Sequence, residues 1–263
     1  MNNRGKIISV SFFGILVLFG ILLIFSMPEG KSNPDTGVTN CTALTTAGET
    51  YNLTNDILNN QITDNCINIS ASNIILNCQG HYIFSIQNYS GVYSNSTNTT
   101  IKNCNITMGS GGNANAKGIY LKGVSSGNST LFNNSIFGDS SAGIYLYSSS
   151  NNNLTSNIGI SNSGDGFYLY YNSNNNLLTS NTGINNYLGY GFDLYLSNNN
   201  TFTSNIGLSN SSYAINSDTS SNNTFISNNL LANYSTVISF YSSPSNFFEL
   251  NKFPQNYPQK YYY

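Results

Sequence analysis

The chain has 263 residues, enough for one domain of ordinary to large size or two small ones. Only 7 % of them are Asp, Glu, Lys or Arg and the net charge is −2, so no basic field exists through which nucleic acid could be bound by phosphate neutralisation. An apolar share of 39 % with 13 % aromatics excludes a solvated disordered chain, and 48 Asn, 39 Ser and 21 Thr do the work that charges normally do.

Arg4 and Lys6 precede Ile7 to Met27, a stretch of 21 residues without charge. That matches the roughly 20 residues that cross a hydrocarbon layer of about 30 Å. Phe25-Ser26-Met27-Pro28 offers no small-residue cleavage pattern, so residues 1–28 predict an N-terminal transmembrane helix that stays on as a single-pass anchor. The alternative is a secretory signal that is removed. Either way Arg4 and Lys6 hold the short N-terminus in the cytoplasm and the remainder lies outside it. Residues 29–40 are expected to form a linker, 41–253 a repeat domain and 254–263 a C-terminal tail, whose prolines cannot donate to a further rung.

The repeat is read from two motifs in phase. Leu131-Phe-Asn-Asn134, Leu154-Thr-Ser-Asn157, Leu178-Thr-Ser-Asn181, Phe202-Thr-Ser-Asn205, Phe225-Ile-Ser-Asn228 and Phe248-Glu-Leu-Asn251 recur at spacings of 23, 24, 24, 23 and 23 residues. Ile75-Leu-Asn-Cys78 and Ile101-Lys-Asn-Cys104 are earlier copies with cysteine in the Asn slot. The wider step from Cys104 to Asn134 is assigned to a glycine-rich loop inserted at Gly109 to Ala116. The second motif reads Gly118-Ile-Tyr-Leu, Gly143-Ile-Tyr-Leu, Gly166-Phe-Tyr-Leu and Gly191-Phe-Asp-Leu, each followed by a polar run that serves as a turn. Within a unit, apolar and polar residues alternate over stretches too short for a helix: Ile144 and Leu146 share one face, Tyr145 and Tyr147 the other.

A period near 24 with two or three short strands per turn predicts an all-β fold, a parallel β-helix of about eight coils. Coils stacked about 4.8 Å apart place like residues in columns. Ile119, Ile144, Phe167, Phe192, Ile215 and Ile238 would form one inner column, and Leu131, Leu154, Leu178, Phe202, Phe225 and Phe248 another. Asn134, Asn157, Asn181, Asn205, Asn228 and Asn251 would form an internal amide ladder, and Asn also tolerates the left-handed backbone of a tight corner.

These motifs, with Cys41-Thr-Ala-Leu, Gly48-Glu-Thr-Tyr-Asn-Leu-Thr-Asn-Asp-Ile57, Cys66-Ile-Asn-Ile69 and Ile74-Ile-Leu-Asn-Cys-Gln-Gly-His81, resemble the right-handed parallel β-helix proteins of the pectin-lyase-like superfold. The likeness is to NosD-like, carbohydrate-binding and sugar-hydrolase repeat proteins of cell surfaces, and it covers about residues 41–253. It implies a right-handed helix and is nearly silent on activity, because this fold hosts lyases, hydrolases, adhesins and stalks. The resemblance implies clustered Asp, Arg, Lys or His in the members that cleave acidic polysaccharides. No arginine follows Arg4, and Lys31, Lys102, Lys117, Lys122, Lys252 and Lys260 read as scattered. The best carboxyl pair is Asp193 with Asp218, outward on adjacent coils and about 8 Å apart, with Asp165 near the corner.

His81, the one histidine, reads as scaffold, so no metal and no cofactor is implied. Four cysteines outside the cytoplasm predict disulfides. Cys78 and Cys104 share a slot on adjacent coils and Cys41 precedes the coil of Cys66, giving Cys41–Cys66 and Cys78–Cys104; buried free thiols are the alternative for the second pair. Outward Tyr120, Tyr145 and Tyr168 in one column and Tyr147, Tyr170 and Tyr195 in the next could bind sugar rings or polypeptide, or could simply support the sheet by stacking on one another. The 14 Asn-x-Ser/Thr sequons hardly exceed the number, about 11, that this composition gives by chance, yet some could carry glycans. The expectation is a membrane-anchored, non-catalytic structural or recognition module meeting cell-surface polysaccharide or surface-layer proteins. The alternative is a polysaccharide hydrolase or lyase acting through the outward carboxyls.

Overall fold

The computed structural model describes residues 35–59, 61–109, 115–123 and 127–253. The expected membrane segment 7–27, the centre of the glycine-rich insertion and the tail 254–263 lie outside the described residues. Among the described residues no helix is long and apolar enough to cross a membrane.

The alternation of apolar and polar residues produces 27 short strands, and each coil contributes one strand to each of three parallel sheets of ten, nine and eight strands. One coil shows the pattern: Ile144–Tyr147 in the nine-stranded sheet, Asn153–Thr155 in the ten-stranded sheet and Ile158–Ser161 in the eight-stranded sheet. At many inward positions like pairs with like from rung to rung, as in Leu146 with Leu169 and Leu154 with Leu178. The result is a parallel β-helix of about eight coils. It begins earlier than the sequence suggested: Thr36–Val38, within the expected linker 29–40, already pairs with Thr50–Leu53 as the first rung.

The interior is a set of columns. Ile119, Ile144, Phe167 and Phe192 are fully buried, as are Leu131, Leu154, Leu178, Phe202 and Phe225. The eight-stranded sheet adjusts to them. Its inward position is Ile106 and Ile136 upstream, then Gly159, Gly183 and Gly207, then Leu230. The glycines appear where phenylalanine fills the opposite wall: a Cβ on Gly183 would stand 3.0 Å from Phe192 Cε2 and 2.3 Å from the Gly191 carbonyl oxygen. Volume removed on one wall is supplied by the other, which keeps the interior close-packed.

Polar ladders run between the apolar columns. Asn157 Nδ2 donates to Asn181 Oδ1 at 3.0 Å, Asn181 Nδ2 to Asn205 Oδ1 at 3.1 Å and Asn205 Nδ2 to Asn228 Oδ1 at 3.0 Å, and the series spans Asn134 to Asn251. Each acceptor oxygen also takes the backbone N–H of the preceding ladder residue, as in Asn157 N–H to Asn181 Oδ1 at 2.9 Å. The sequence reading placed the ladder asparagine itself at the left-handed corner, and this is corrected. The left-handed residue is its predecessor, Asn133, Ser156, Ser180, Ser204, Ser227 or Leu250, with φ of 53–56°. That corner turns the following side chain inward, where the buried amide finds its partners.

Two further ladders occupy runs that the sequence offered only as turns. Asn152, Asn176 and Asn200 repeat the amide pattern at 2.9 and 3.0 Å, and the Ser173, Ser197 and Ser220 hydroxyls accept backbone N–H groups of the coil before. At the N-terminal end Cys41 is bonded to Cys66 and Cys78 to Cys104, with Cα separations of 4.4 and 4.7 Å.

Candidate functional site: an aromatic strip on the nine-stranded sheet

The strands of the nine-stranded sheet turn alternate residues outward, so its rungs generate exposed columns as regular as the inner ones. The first outer column runs Asn68, Tyr93, Tyr120, Tyr145, Tyr168, Asp193, Asn216. The second, two residues along, runs Lys122, Tyr147, Tyr170, Tyr195, Asp218, Tyr241. Stacking between rungs fixes the rings. Tyr120 and Tyr145 lie 5.0 Å apart, Tyr145 and Tyr168 5.1 Å, and Tyr170 and Tyr195 5.3 Å, all near-parallel. Tyr145 and Tyr170 tie the columns together at 6.2 Å, and Tyr171 closes one side against Tyr147. The six tyrosines singled out in the sequence therefore form one continuous surface, joined by Tyr93 at one end.

The rings are half-buried by their neighbours, and burial disfavours the phenolate. It pushes Tyr120 up to about 12 and raises Tyr145 and Tyr168 as well. Tyr120, Tyr145 and Tyr168 therefore present neutral hydroxyls beside apolar faces, a surface suited to polyhydroxylated rings.

A third outer column, the slot just before the repeated glycine, runs Lys117, Ala142, Asp165, Tyr190, Tyr213, one coil at a time. The sequence reading did not recognise it, although its signal lay in register with the Gly-Ile-Tyr-Leu motif. Lys117 places its amine 5.3 Å from the centroids of both Tyr120 and Tyr145. The lysines are thus not all scattered: Lys117 and Lys122 flank one strand and head the strip. Tyr190 and Tyr213 stack at 5.7 Å beside its other end.

The carboxyls also need correcting. Asp193 and Asp218 are not a matched outward pair. Asp193 is only 7 % exposed and its Oδ1 accepts from Asn216 Nδ2 at 2.8 Å, whereas Asp218 is half-exposed beside Tyr195 and takes the Thr219 hydroxyl. Asp165 takes the Tyr190 backbone N–H on its Oδ1 at 2.8 Å. Burial raises Asp165 to about 7, and burial together with the nearby Asp165 charge raises Asp193 well above the usual carboxylate range. The stronger electrostatic partner of Asp193 is therefore Asp165, with Asp218 a lesser one. Elsewhere, His81 Nδ1 sits 3.0 Å from Asp56 Oδ1, which also accepts the Tyr82 N–H, so this pair staples neighbouring coils. Among the described residues no three His, Cys, Asp or Glu side chains gather where a metal ion could be held.

Two solved structures show the same fold. The periplasmic alginate epimerase AlgG superposes with a TM-score of 0.50 at 16 % identity over 77 % of this chain and 67 % of that one. The enzymatically active domain of tailspike protein 2 from bacteriophage CBA120 superposes with a TM-score of 0.55 at 13 % identity, over 81 % of this chain and 38 % of the tailspike chain. No protein of curated function matches the chain in sequence. Residues 52–206 match the family described as the right handed beta helix region, and the chain belongs to that family.

Proposed function

We propose that this protein is a carbohydrate-recognition β-helix that works outside the cytoplasm and binds its ligand along the tyrosine strip without cleaving it. The observation that carries the reading is the unbroken run of contacting rings, Tyr93 edge-on to Tyr120 and Tyr120, Tyr145 and Tyr168 stacked, doubled by Tyr147, Tyr170 and Tyr195. Sugar faces pack on such rings, and the phenol hydroxyls meet sugar hydroxyls at the rim. The location rests on the two disulfides, which persist in oxidising compartments. The fold shared with a periplasmic alginate epimerase and with the active domain of a phage tailspike agrees with a saccharide ligand. Residues 7–27 would tether the domain at the cell surface, within reach of surface polysaccharide or surface-layer proteins.

The test is a glycan array probed with the purified domain, repeated with a Tyr145→Ser, Tyr170→Ser variant. Loss of two ring platforms at about 0.5–1.5 kcal/mol each weakens binding about fivefold to 150-fold. Unchanged binding by the variant, or no glycan bound by the parent, overturns the reading.

A second reading is favoured by one observation, the neighbouring Asp165 and Asp193 carboxyls, both raised by burial, Asp165 to about 7. Such a pair could serve as general acid and base in glycan cleavage. A screen for new reducing ends or unsaturated products, abolished by Asp193→Asn, would establish it in place of the first.

A further inference from the structure

The tyrosine strip has an electrical direction. In two of the three outer columns a lysine lies upstream and a carboxyl downstream, while Asp64 stands near Tyr93 at the upstream edge. Lys122 leads through Tyr147, Tyr170 and Tyr195 to Asp218, Lys117 leads through Ala142 to Asp165, and the column of Tyr120, Tyr145 and Tyr168 passes next to Asp193. Four rungs of about 4.8 Å separate Lys122 from Asp218, or about 19 Å.

The lysines themselves are unusual for this chain. The whole sequence has 8 Lys and Arg, yet two of them converge on one groove of about 390 Å³ formed with Asn65, Asn88, Tyr93, Asn115 and Tyr120. Among the described residues neither lysine has a carboxylate partner. Lys117 Nζ spends one donor on the Asn115 carbonyl oxygen at 3.2 Å, lies over the Tyr120 and Tyr145 rings, and keeps two further N–H donors. Burial, reinforced by the Lys122 charge, holds the Lys117 pKa below its usual value, so the site as it stands disfavours two cations and gains by receiving an anion. The aromatic faces under Lys117 supply the apolar floor on which a sugar ring would sit.

We propose, building on the recognition reading above, that Lys117 and Lys122 form an anion subsite for the carboxylate of an acidic sugar, a uronic acid carried by the bound glycan. The neutral remainder of the glycan then runs downstream over Tyr145, Tyr168 and Tyr170, and the buried Asp165 and Asp193 carboxyls, costly to ionise, disfavour an acidic sugar placed at that end. Binding is therefore directional: the acidic unit faces the N-terminal coils.

The test uses matched oligosaccharides on an array, each uronate-bearing glycan beside its carboxyl-reduced twin, probed with the full chain and with variants. Reduction of the carboxyl should weaken binding about tenfold or more, as expected for a charge-assisted contact. The Lys117→Gln, Lys122→Gln variant should lose that preference, its affinity for the acidic glycan falling to its affinity for the reduced twin. Lys117→Arg, which keeps the charge, should keep the preference, and Lys122→Gln alone, at an exposed position, guards against misfolding. The proposal is overturned if the reduced twin binds equally well or if the double variant still prefers the acid. If tyrosine-dependent binding of neutral glycans survives that result, the recognition reading stands without the anion subsite. If no glycan binds, both fall.

Discussion

Replacing Asn181 by alanine isolates what an internal amide contributes to a stacked coil. Asn181 is fully buried. Its Oδ1 accepts the Asn157 backbone N–H at 2.9 Å and Asn157 Nδ2 at 3.0 Å, while its Nδ2 donates to the Leu154 carbonyl at 2.8 Å and to Asn205 Oδ1 at 3.1 Å. Alanine leaves two N–H groups of Asn157 without an acceptor in a place water does not reach. At about 1–3 kcal/mol for each stranded donor the variant should lose about 2–6 kcal/mol. Asn186→Ala serves as the surface control: that side chain is exposed and makes a single bond to Asn162 Oδ1, so its removal should cost no more than about 0.5 kcal/mol. Urea titration with the disulfides intact, followed by far-ultraviolet circular dichroism and by tyrosine fluorescence, measures both. Native-state hydrogen exchange at the Asn157 amide tests whether the loss arises where the acceptor was removed. A cost below about 1 kcal/mol for Asn181→Ala, or an unchanged exchange rate at Asn157, would refute the view that the ladder holds the coils together.

Other outcomes follow from the same geometry. Because Asp165 and Asp193 retain protons in the folded state that the unfolded chain releases near pH 4, folded stability should fall as pH rises from about 4 to about 7. A Tm series across that window checks it, and Asp165→Asn with Asp193→Asn should flatten the slope. Gly183→Ala should cost about 1–3 kcal/mol in urea titration, since the new methyl meets the Gly191 carbonyl and the Phe192 ring. Reducing the bridges, which span 25 and 26 residues, should remove about 3.5 kcal/mol each on the chain-entropy estimate. Hydrogen exchange should then show the coils between Cys41 and Cys104 opening before those downstream.

The coil period, the inner columns and the position of the asparagine ladder were legible because stacking forces identical environments to recur every 23 or 24 residues, and recurrence is visible in a string. The outward columns of tyrosine followed from the same count. What escaped was whatever depends on the third dimension within one coil. Asn152, Asn176 and Asn200 sit in polar runs that look like ordinary turns, and only the corner geometry shows their side chains turned inward. The pairing of Gly183 with Phe192 joins opposite walls of the interior, a relation that no periodic alignment displays. Lys117 and Asp165 share a column with residues of unlike chemistry, so similarity search passes over them although register alone would have aligned them. Asp193 looked solvent-facing by alternation, but the residues packed around it at the end of the strip bury it.

The ladder amides repeat one pattern: from Asn157 to Asn228 each side-chain amide gives one hydrogen to the asparagine of the coil that follows and the other to a backbone carbonyl of the coil that precedes. Every turn thus offers the same plug and the same socket. A cassette of two dozen residues spliced in between two ladder positions would meet the same amide partners, provided its glycine still faces phenylalanine across the interior. The molecule's length can accordingly be lengthened or shortened like a ruler graduated in steps of about 4.8 Å, with whatever decorates its outer wall shifting by whole notches.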